Sequence, residues 1–121
     1  MANSFVHVEL MSNDLPKAKD FYTKLFDWKL EDVAMEGGRS YTMIHVGDGV
    51  GGGMMTNPDA GMPSHWMAYV LVEDCAAATE KARKLGAQVV VDTMAVGDFG
   101  IMSVFVDPTG AALALWQAKP R

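Results

Sequence analysis

Phe5-Val-His-Val-Glu-Leu-Met-Ser-Asn-Asp14 contains a complete transition from strand to helix. Side chains up to Met11 alternate between an all-aliphatic face and a mixed face, which is the period of a β-strand. Asp14 is a favourable N-cap residue, and Pro16 suits the first turn of a helix. The segment therefore predicts a strand that leads into a helix over about residues 15–26.

The same pattern returns in the second half of the chain, where Asp74 takes the place of Asp14. A strand over 66–72 precedes this second N-cap, and Gly86 ends the helix that follows. Three short strands come after each helix, and residues 56–64 are turn formers that connect the two repeats. A unit of this kind has one apolar sheet face and must pair to bury it. We predict one α+β domain over 1–121, built from two βαβββ modules at about 1–57 and 64–121.

Charge and composition limit the classes of partner. The chain of 121 residues has a formal net charge of -5 and no cluster of Lys or Arg, so nucleic acid and anionic membrane are poor partners. Its longest apolar runs are too short to span a bilayer. The lone Cys75 and the lack of a visible secretory signal lead us to expect a cytoplasmic protein.

Three segments carry a resemblance to a known family. The line from His7 to Asp14, continued by Phe21-Tyr22 and Leu25-Phe26-Asp27-Trp28, resembles the opening of vicinal oxygen chelate proteins, the glyoxalase, bleomycin resistance protein and extradiol dioxygenase superfamily. The middle is matched by Tyr69-Val-Leu-Val-Glu-Asp74 with Gly86-Ala87, and the end by Gly100, Asp107-Pro-Thr-Gly110 and Leu115-Trp116. The resemblance spans essentially the whole chain. It implies paired modules around a curled mixed sheet that encloses a cavity.

The resemblance also implies a place for a divalent metal, held by the first and last strand of each module. The matching positions in this chain are His7, Gly53, Met67 and Ala114, and a one-residue slip in the second repeat would put Trp66 in place of Met67. Only His7 is a metal ligand, whereas a catalytic site needs about three protein ligands. We therefore expect a degenerate site and no metal cofactor. Glu9 and His65 remain possible substitute ligands beside His7.

Strand parity selects a set of candidate pocket residues. They alternate onto the mixed face of their strands and are His7, Glu9, Tyr41, Met43, His45, Met67, Tyr69, Phe105 and Trp116. Such a wall is aromatic, rich in methionine, and suited to a flat or apolar ligand. Glu9 either orients that ligand, is hydrated at an open mouth, or pairs with Arg39.

Three functions fit these residues. The first is a protein of the bleomycin resistance type, which binds a small apolar or aromatic molecule. The second is a metal-dependent lyase or dioxygenase-like enzyme with a non-standard metal site, and the third is an interaction module without a small ligand. Whether the chain is an enzyme stays open at this point, and the resemblance makes a homodimer plausible.

Overall fold

The computed structural model describes residues 3–35, 38, 40–59 and 61–119. Over this part of the chain the order strand–helix–strand–strand–strand occurs twice, which confirms the predicted α+β fold class. The first five elements are β1 (Phe5–Ser12), α1 (Leu15–Leu25), β2 (Lys29–Ala34), β3 (Ser40–His45) and β4 (Gly52–Thr56). The second five are β5 (His65–Leu71), α2 (Cys75–Lys84), β6 (Gln88–Val96), β7 (Gly100–Val106) and β8 (Ala112–Ala118).

The chain divides into two compact units. The first unit is His7–Met67, and the second unit begins at Ala68 and includes the start of β1 through Val6. Within the first unit the strands are neighbours in the order β2-β3-β4-β1, and β1 runs parallel to β4. Within the second unit the order is β5-β8-β7-β6, and β5 runs parallel to β8. The remaining pairs within each unit are antiparallel, so both sets of strands are mixed.

Helix α1 covers one face of the strands in the first unit. The Asp14 carboxylate caps it by accepting a hydrogen bond from the Lys17 backbone N–H at 3.2 Å. Leu10, Ile44 and Met54 form the buried core under the helix. Partly buried residues, chiefly from α1 and the strands beside it, complete this core: Leu15, Ala18, Tyr22, Trp28, Leu30 and Val46. Phe21 and Leu25, although they continue the helical apolar stripe, lie on the exposed side of α1.

Helix α2 packs through smaller and more polar side chains. Asp74 caps it by accepting from the Ala77 N–H at 3.0 Å, which repeats the role of Asp14. Cys75 and Thr79 are buried, and the Thr79 hydroxyl lies 2.7 Å from that of Ser103 on β7. Cys75, in the first turn of α2, is a free and buried thiol.

Strand β6 is the element whose extent differs most from expectation. The sequence suggests a strand only at 89–91, whereas β6 covers Gln88–Val96 and pairs with β7 through two irregularities in register. Thr93 takes a positive φ of 43° within this irregular stretch. The bulges explain the missing signal, because they break the alternation that marks a strand. No helix in the described part of the chain has the length and apolar character needed to cross a bilayer.

Candidate functional site

The face of the first unit that points away from α1 carries most of the predicted pocket residues of β1 and β3. Side chains alternate along a strand, so residues two apart share a face. Val8 and Leu10 lie on the α1 side, which places His7 and Glu9 on the other side. In register across the strands, Glu9 is opposite Gly53, and Gly53 is opposite Met43. The sequence prediction that His7, Glu9, Tyr41 and Met43 share a face is thus met within the first unit.

A hydrogen-bonded chain joins three of these side chains. The Tyr41 hydroxyl donates to Glu9 Oε2 at 2.6 Å, and His7 Nε2 lies 2.7 Å from the same hydroxyl oxygen. A phenol has one proton to donate. Because that proton goes to Glu9, the Tyr41 oxygen accepts from His7 Nε2–H, which assigns the tautomer of the imidazole. We refer to His7, Tyr41 and Glu9 as the polar triad.

Gly53 makes the polar triad possible. Tyr41 is on β3 and Glu9 is on β1, with β4 between them. A Cβ placed on Gly53 would overlap the Tyr41 hydroxyl and ring. The phenol therefore lies directly over the glycine and crosses β4 to reach Glu9. This is a close approach that only a residue without a side chain permits.

Burial sets the electrostatics of the polar triad. Glu9 is 6% exposed, and Tyr41 and His7 are half-buried. Desolvation lowers the pKa of His7 below its usual value near 6.5, and the Glu9 carboxylate partly offsets this shift. His7 is therefore a neutral imidazole near neutral pH. The arrangement holds one carboxylate, one phenol and one neutral imidazole in fixed hydrogen-bonding roles.

The other two histidines lie outside the polar triad. His45 Nε2 is 2.9 Å from Glu31 Oε1 on the neighbouring strand, and both side chains are exposed. His65 is directed to the loop before β5, where Nδ1–H donates to the Pro63 carbonyl at 2.8 Å. Arg39, considered as a partner for Glu9, lies outside the described residues.

In the second unit, two of the predicted pocket residues contact each other, whereas a third lies on the other face of the strands. The rings of Tyr69 and Trp116 contact edge to face, with centroids 6.5 Å apart. Phe105 was expected on the face of Trp116, and the register corrects this. Phe105 is opposite Leu113, whereas Trp116 is opposite Met102, so Phe105 lies on the other face of β7. That face also carries Ser103 and is the one that α2 covers. Met67, the last residue of the first unit, is buried.

The donor set at the metal positions implied by the sequence does not fit a divalent ion. Of these positions, Met67 offers a soft thioether, Ala114 is fully buried without a donor, and Gly53 lies under the Tyr41 ring. Within residues 3–35, 38, 40–59 and 61–119, no three His, Cys, Asp or Glu side chains come together in a group able to hold a metal, so His65 does not join His7 and Glu9 in such a group.

An aromatic groove on the α1 side of the first unit was missed by sequence reasoning. Tyr22, Phe26, Trp28 and Trp66 line this pocket of about 390 Å³, and none of the predicted pocket residues does. A visible signal was the high density of aromatic residues in Phe21-Tyr22…Phe26-Asp27-Trp28. The chain as a whole is only 9% aromatic. Trp66 could not be assigned to it, since it lies in the second repeat, far along the chain from Trp28.

Comparison with known proteins decides the family. The model of the Glyoxalase/Bleomycin resistance protein/Dioxygenase superfamily matches residues 4–115. The chain belongs to this superfamily. The Mycobacterium tuberculosis protein named "Putative glyoxylase CFP32" is 41% identical over 116 residues, which cover 93% of this chain and 44% of that protein. "Anthracycline biosynthesis protein DnrV" of Streptomyces peucetius is 33% identical over 128 residues, which cover 90% of this chain and 45% of that protein. This superfamily member thus spans less than half the length of the curated relatives it matches.

Solved structures show the same fold at low sequence identity. Methylmalonyl-CoA epimerase from Mycobacterium tuberculosis has a TM-score of 0.71 at 19% identity, covering 96% of this chain and 88% of that one. The hypothetical protein BH1468 from Bacillus halodurans has a TM-score of 0.71 at 14% identity, covering 100% and 98%. These matches establish the glyoxalase fold for the chain.

Proposed function

We propose that this superfamily member binds a small, largely apolar or aromatic molecule beside the polar triad, without the divalent metal of the family. The observation that carries the proposal is the position of Tyr41, whose hydroxyl lies over Gly53 where the resemblance implies a metal ligand. Hydrogen-bonding groups thus take the place of metal coordination. They would orient a ligand, while Met43 on the same face offers adaptable apolar contact.

A further observation supports this proposal. One relative is named for anthracycline biosynthesis, and anthracyclines are planar, polycyclic molecules that suit an apolar wall with a few polar groups. We also propose a cytoplasmic location, which the single, free cysteine suits.

A metal-dependent lyase or dioxygenase-like activity is the second candidate, favoured by the glyoxylase name of the 41% identical relatives. It needs ligands that the implied metal positions do not offer. An interaction module without a small ligand is the third candidate. A stoichiometric divalent ion in the purified protein would favour the second, and the absence of any ligand response would favour the third.

Thermal unfolding against a panel of planar phenols, quinones and other uncharged aromatics tests the proposal. A ligand that binds the folded chain raises its melting temperature by mass action. We expect a hit whose shift is lost in His7→Gln and reduced in Tyr41→Phe. His65→Gln is the matched control, because that ring contacts only the Pro63 carbonyl among the hydrogen bonds given above. A ligand whose shift survives His7→Gln and Tyr41→Phe unchanged binds elsewhere, and a panel in which no shift is lost in His7→Gln would refute the proposed site.

A further inference from the structure

We propose that the aromatic groove is a second binding site, for a flat, uncharged aromatic molecule that carries a hydrogen-bond acceptor. The groove lies at the C-terminal end of α1, where Tyr22 of the helix and Phe26 and Trp28 just after it contribute to the lining. Ile44 and Gly52 contribute to its lining from β3 and β4. Its volume of about 390 Å³ falls in the range of small-molecule pockets.

The rings of the groove form two walls at nearly a right angle. Tyr22 and Trp28 are close to parallel, with 25° between their planes and 5.7 Å between centroids. Trp66 stands at 80° to Tyr22 and at 75° to Trp28. A planar ligand can stack on one wall and present its edge to the other, which are the two favoured aromatic geometries.

Aromatic surface in the groove remains open to solvent. Trp66 is 39% exposed and Phe26 is 45% exposed, and Val50 at the rim is 46% exposed. Removing apolar surface from water is favourable. A ligand that covers these rings therefore gains binding free energy from contacts that the folded chain leaves unmade.

Polar atoms on the lining residues define the class of ligand. The Tyr22 hydroxyl and the indole N–H groups of Trp28 and Trp66 make no hydrogen bond within the described part of the chain. The described lining residues include none with a charge. Donors without a countercharge favour a neutral acceptor such as a ketone or quinone oxygen over an ion.

A matched pair of probes tests this site: 2-acetylnaphthalene, which carries a carbonyl acceptor, and 2-ethylnaphthalene, which lacks it. The readout is the indole N–H signal of each of the three tryptophans in a ¹H–¹⁵N spectrum, assigned with Trp→Phe variants. We expect saturable shifts of the Trp28 and Trp66 signals, with Trp116 unmoved. The acetyl probe should bind about fivefold more tightly, the worth of one ordinary hydrogen bond.

Variants separate this site from the polar triad. Trp66→Ala should weaken the binding of both probes by about tenfold. Trp66→Phe keeps an aromatic ring but removes the indole N–H, and it should therefore reduce the preference for the acetyl probe. His7→Gln should leave the groove shifts unchanged, so failure of the proposed function and failure of the groove are distinguishable. Phe99→Ala removes an exposed ring of the second unit, 56% exposed against 39% for Trp66, and is the control.

Three outcomes would overturn the groove proposal. The first is no shift at Trp28 or Trp66, and the second is a shift of Trp116 alone. The third is that a second copy of the chain covers the groove. Light scattering would then give the mass of a dimer, and the Trp66 signal would move on dilution without any probe.

Discussion

Equivalent strand positions of the two repeats carry opposite chemistry. His7 and Glu9 on β1 correspond, in the second repeat, to Met67 and Tyr69 on β5. Glu9 is opposite a glycine, and a tyrosine from β3 crosses that glycine to bond it. Tyr69 is opposite Ala114, which is fully buried. The repeat therefore specifies the backbone twice, whereas the side chains differ: Gly53 lets the Tyr41 ring cross its strand, and Ala114 carries a methyl group at the equivalent position.

The second repeat, which has Met67 where the first repeat has His7, should lose more unfolding free energy when this side chain is truncated. Met67→Ala removes a buried side chain and is expected to cost about 2–5 kcal/mol of unfolding free energy. His7→Ala, at the equivalent position, removes a half-buried side chain and its hydrogen bond to Tyr41 and should cost about 1–2 kcal/mol. Urea denaturation measures both. Met62→Ala, on a side chain that is 48% exposed, is the control. Equal costs at 7 and 67 would contradict the contrast between the repeats.

Adding one carbon at Gly53 should break the polar triad of the first repeat. In Gly53→Ala the new methyl group displaces Tyr41 from Glu9, at an expected cost of roughly 1–3 kcal/mol. The same change in a Tyr41→Ala background should cost much less, because the obstructing ring is gone. A double-mutant cycle gives this coupling energy. Gly61→Ala, whose methyl group would meet the Asp59 carboxylate at 3.3 Å and no other described residue beyond its chain neighbours, is the control. Additive effects at 41 and 53 would show that the phenol does not lie over the glycine.

Removing the hydroxyl oxygen of Tyr41 should have a smaller effect on the unfolding free energy. Tyr41→Phe keeps the ring and deletes the hydroxyl that links Glu9 to His7, with an expected loss of about 1–2 kcal/mol. The matched control is Tyr22→Phe, since the Tyr22 hydroxyl has no hydrogen bond in the described part of the chain. Its unfolding free energy should stay within about 0.5 kcal/mol of the wild type. An unchanged unfolding free energy in Tyr41→Phe would show that the hydrogen bonds of the polar triad do not stabilise the fold.

The smallest expected effect is a pH dependence from His7. Its folded pKa lies below the unfolded value near 6.5, so the unfolded chain binds more protons between these two values. Stability should therefore fall as the pH drops from about 6.5 to the folded pKa, and this contribution should level off below it. Proton NMR titration of the His7 ring gives the pKa directly. His7→Gln should remove this contribution and His65→Gln should leave it. A His7 pKa above 6.5 would mean that charge attraction outweighs burial.

The sequence predicted the repeat well because N-caps and turns are local signals. Asp14 and Asp74 each cap a helix as their neighbours in sequence imply. Strand parity also placed His7, Glu9 and Tyr41 on one face of the first unit. The prediction was wrong at Phe105. Alternation shows which residues share a face within one strand, but the face shared by two strands follows only from their register. The pairing of Val106 with Ala112 across the Asp107–Gly110 turn sets Phe105 opposite Leu113 and puts Trp116 on the other face.

Two features of the candidate sites lay beyond sequence reasoning. The reach of Tyr41 over Gly53 depends on which strand lies between β1 and β3, and the sequence does not state that order. The aromatic groove depends on Trp66 meeting the rings of Tyr22 and Trp28, which belong to the first repeat. Both are long-range contacts that periodicity cannot encode.

The metal content of the purified protein tests the central claim most directly, namely that hydrogen bonds among His7, Tyr41 and Glu9 replace metal coordination. The protein is expressed without a chelator, and its divalent ions are measured by elemental analysis. We predict a substoichiometric content and no change of melting temperature on addition of zinc or nickel, because three of the four implied ligand positions, Gly53, Met67 and Ala114, lack a suitable donor. One tightly bound divalent ion per chain, lost in His7→Gln, would contradict the account and move the metal-dependent enzyme to first place.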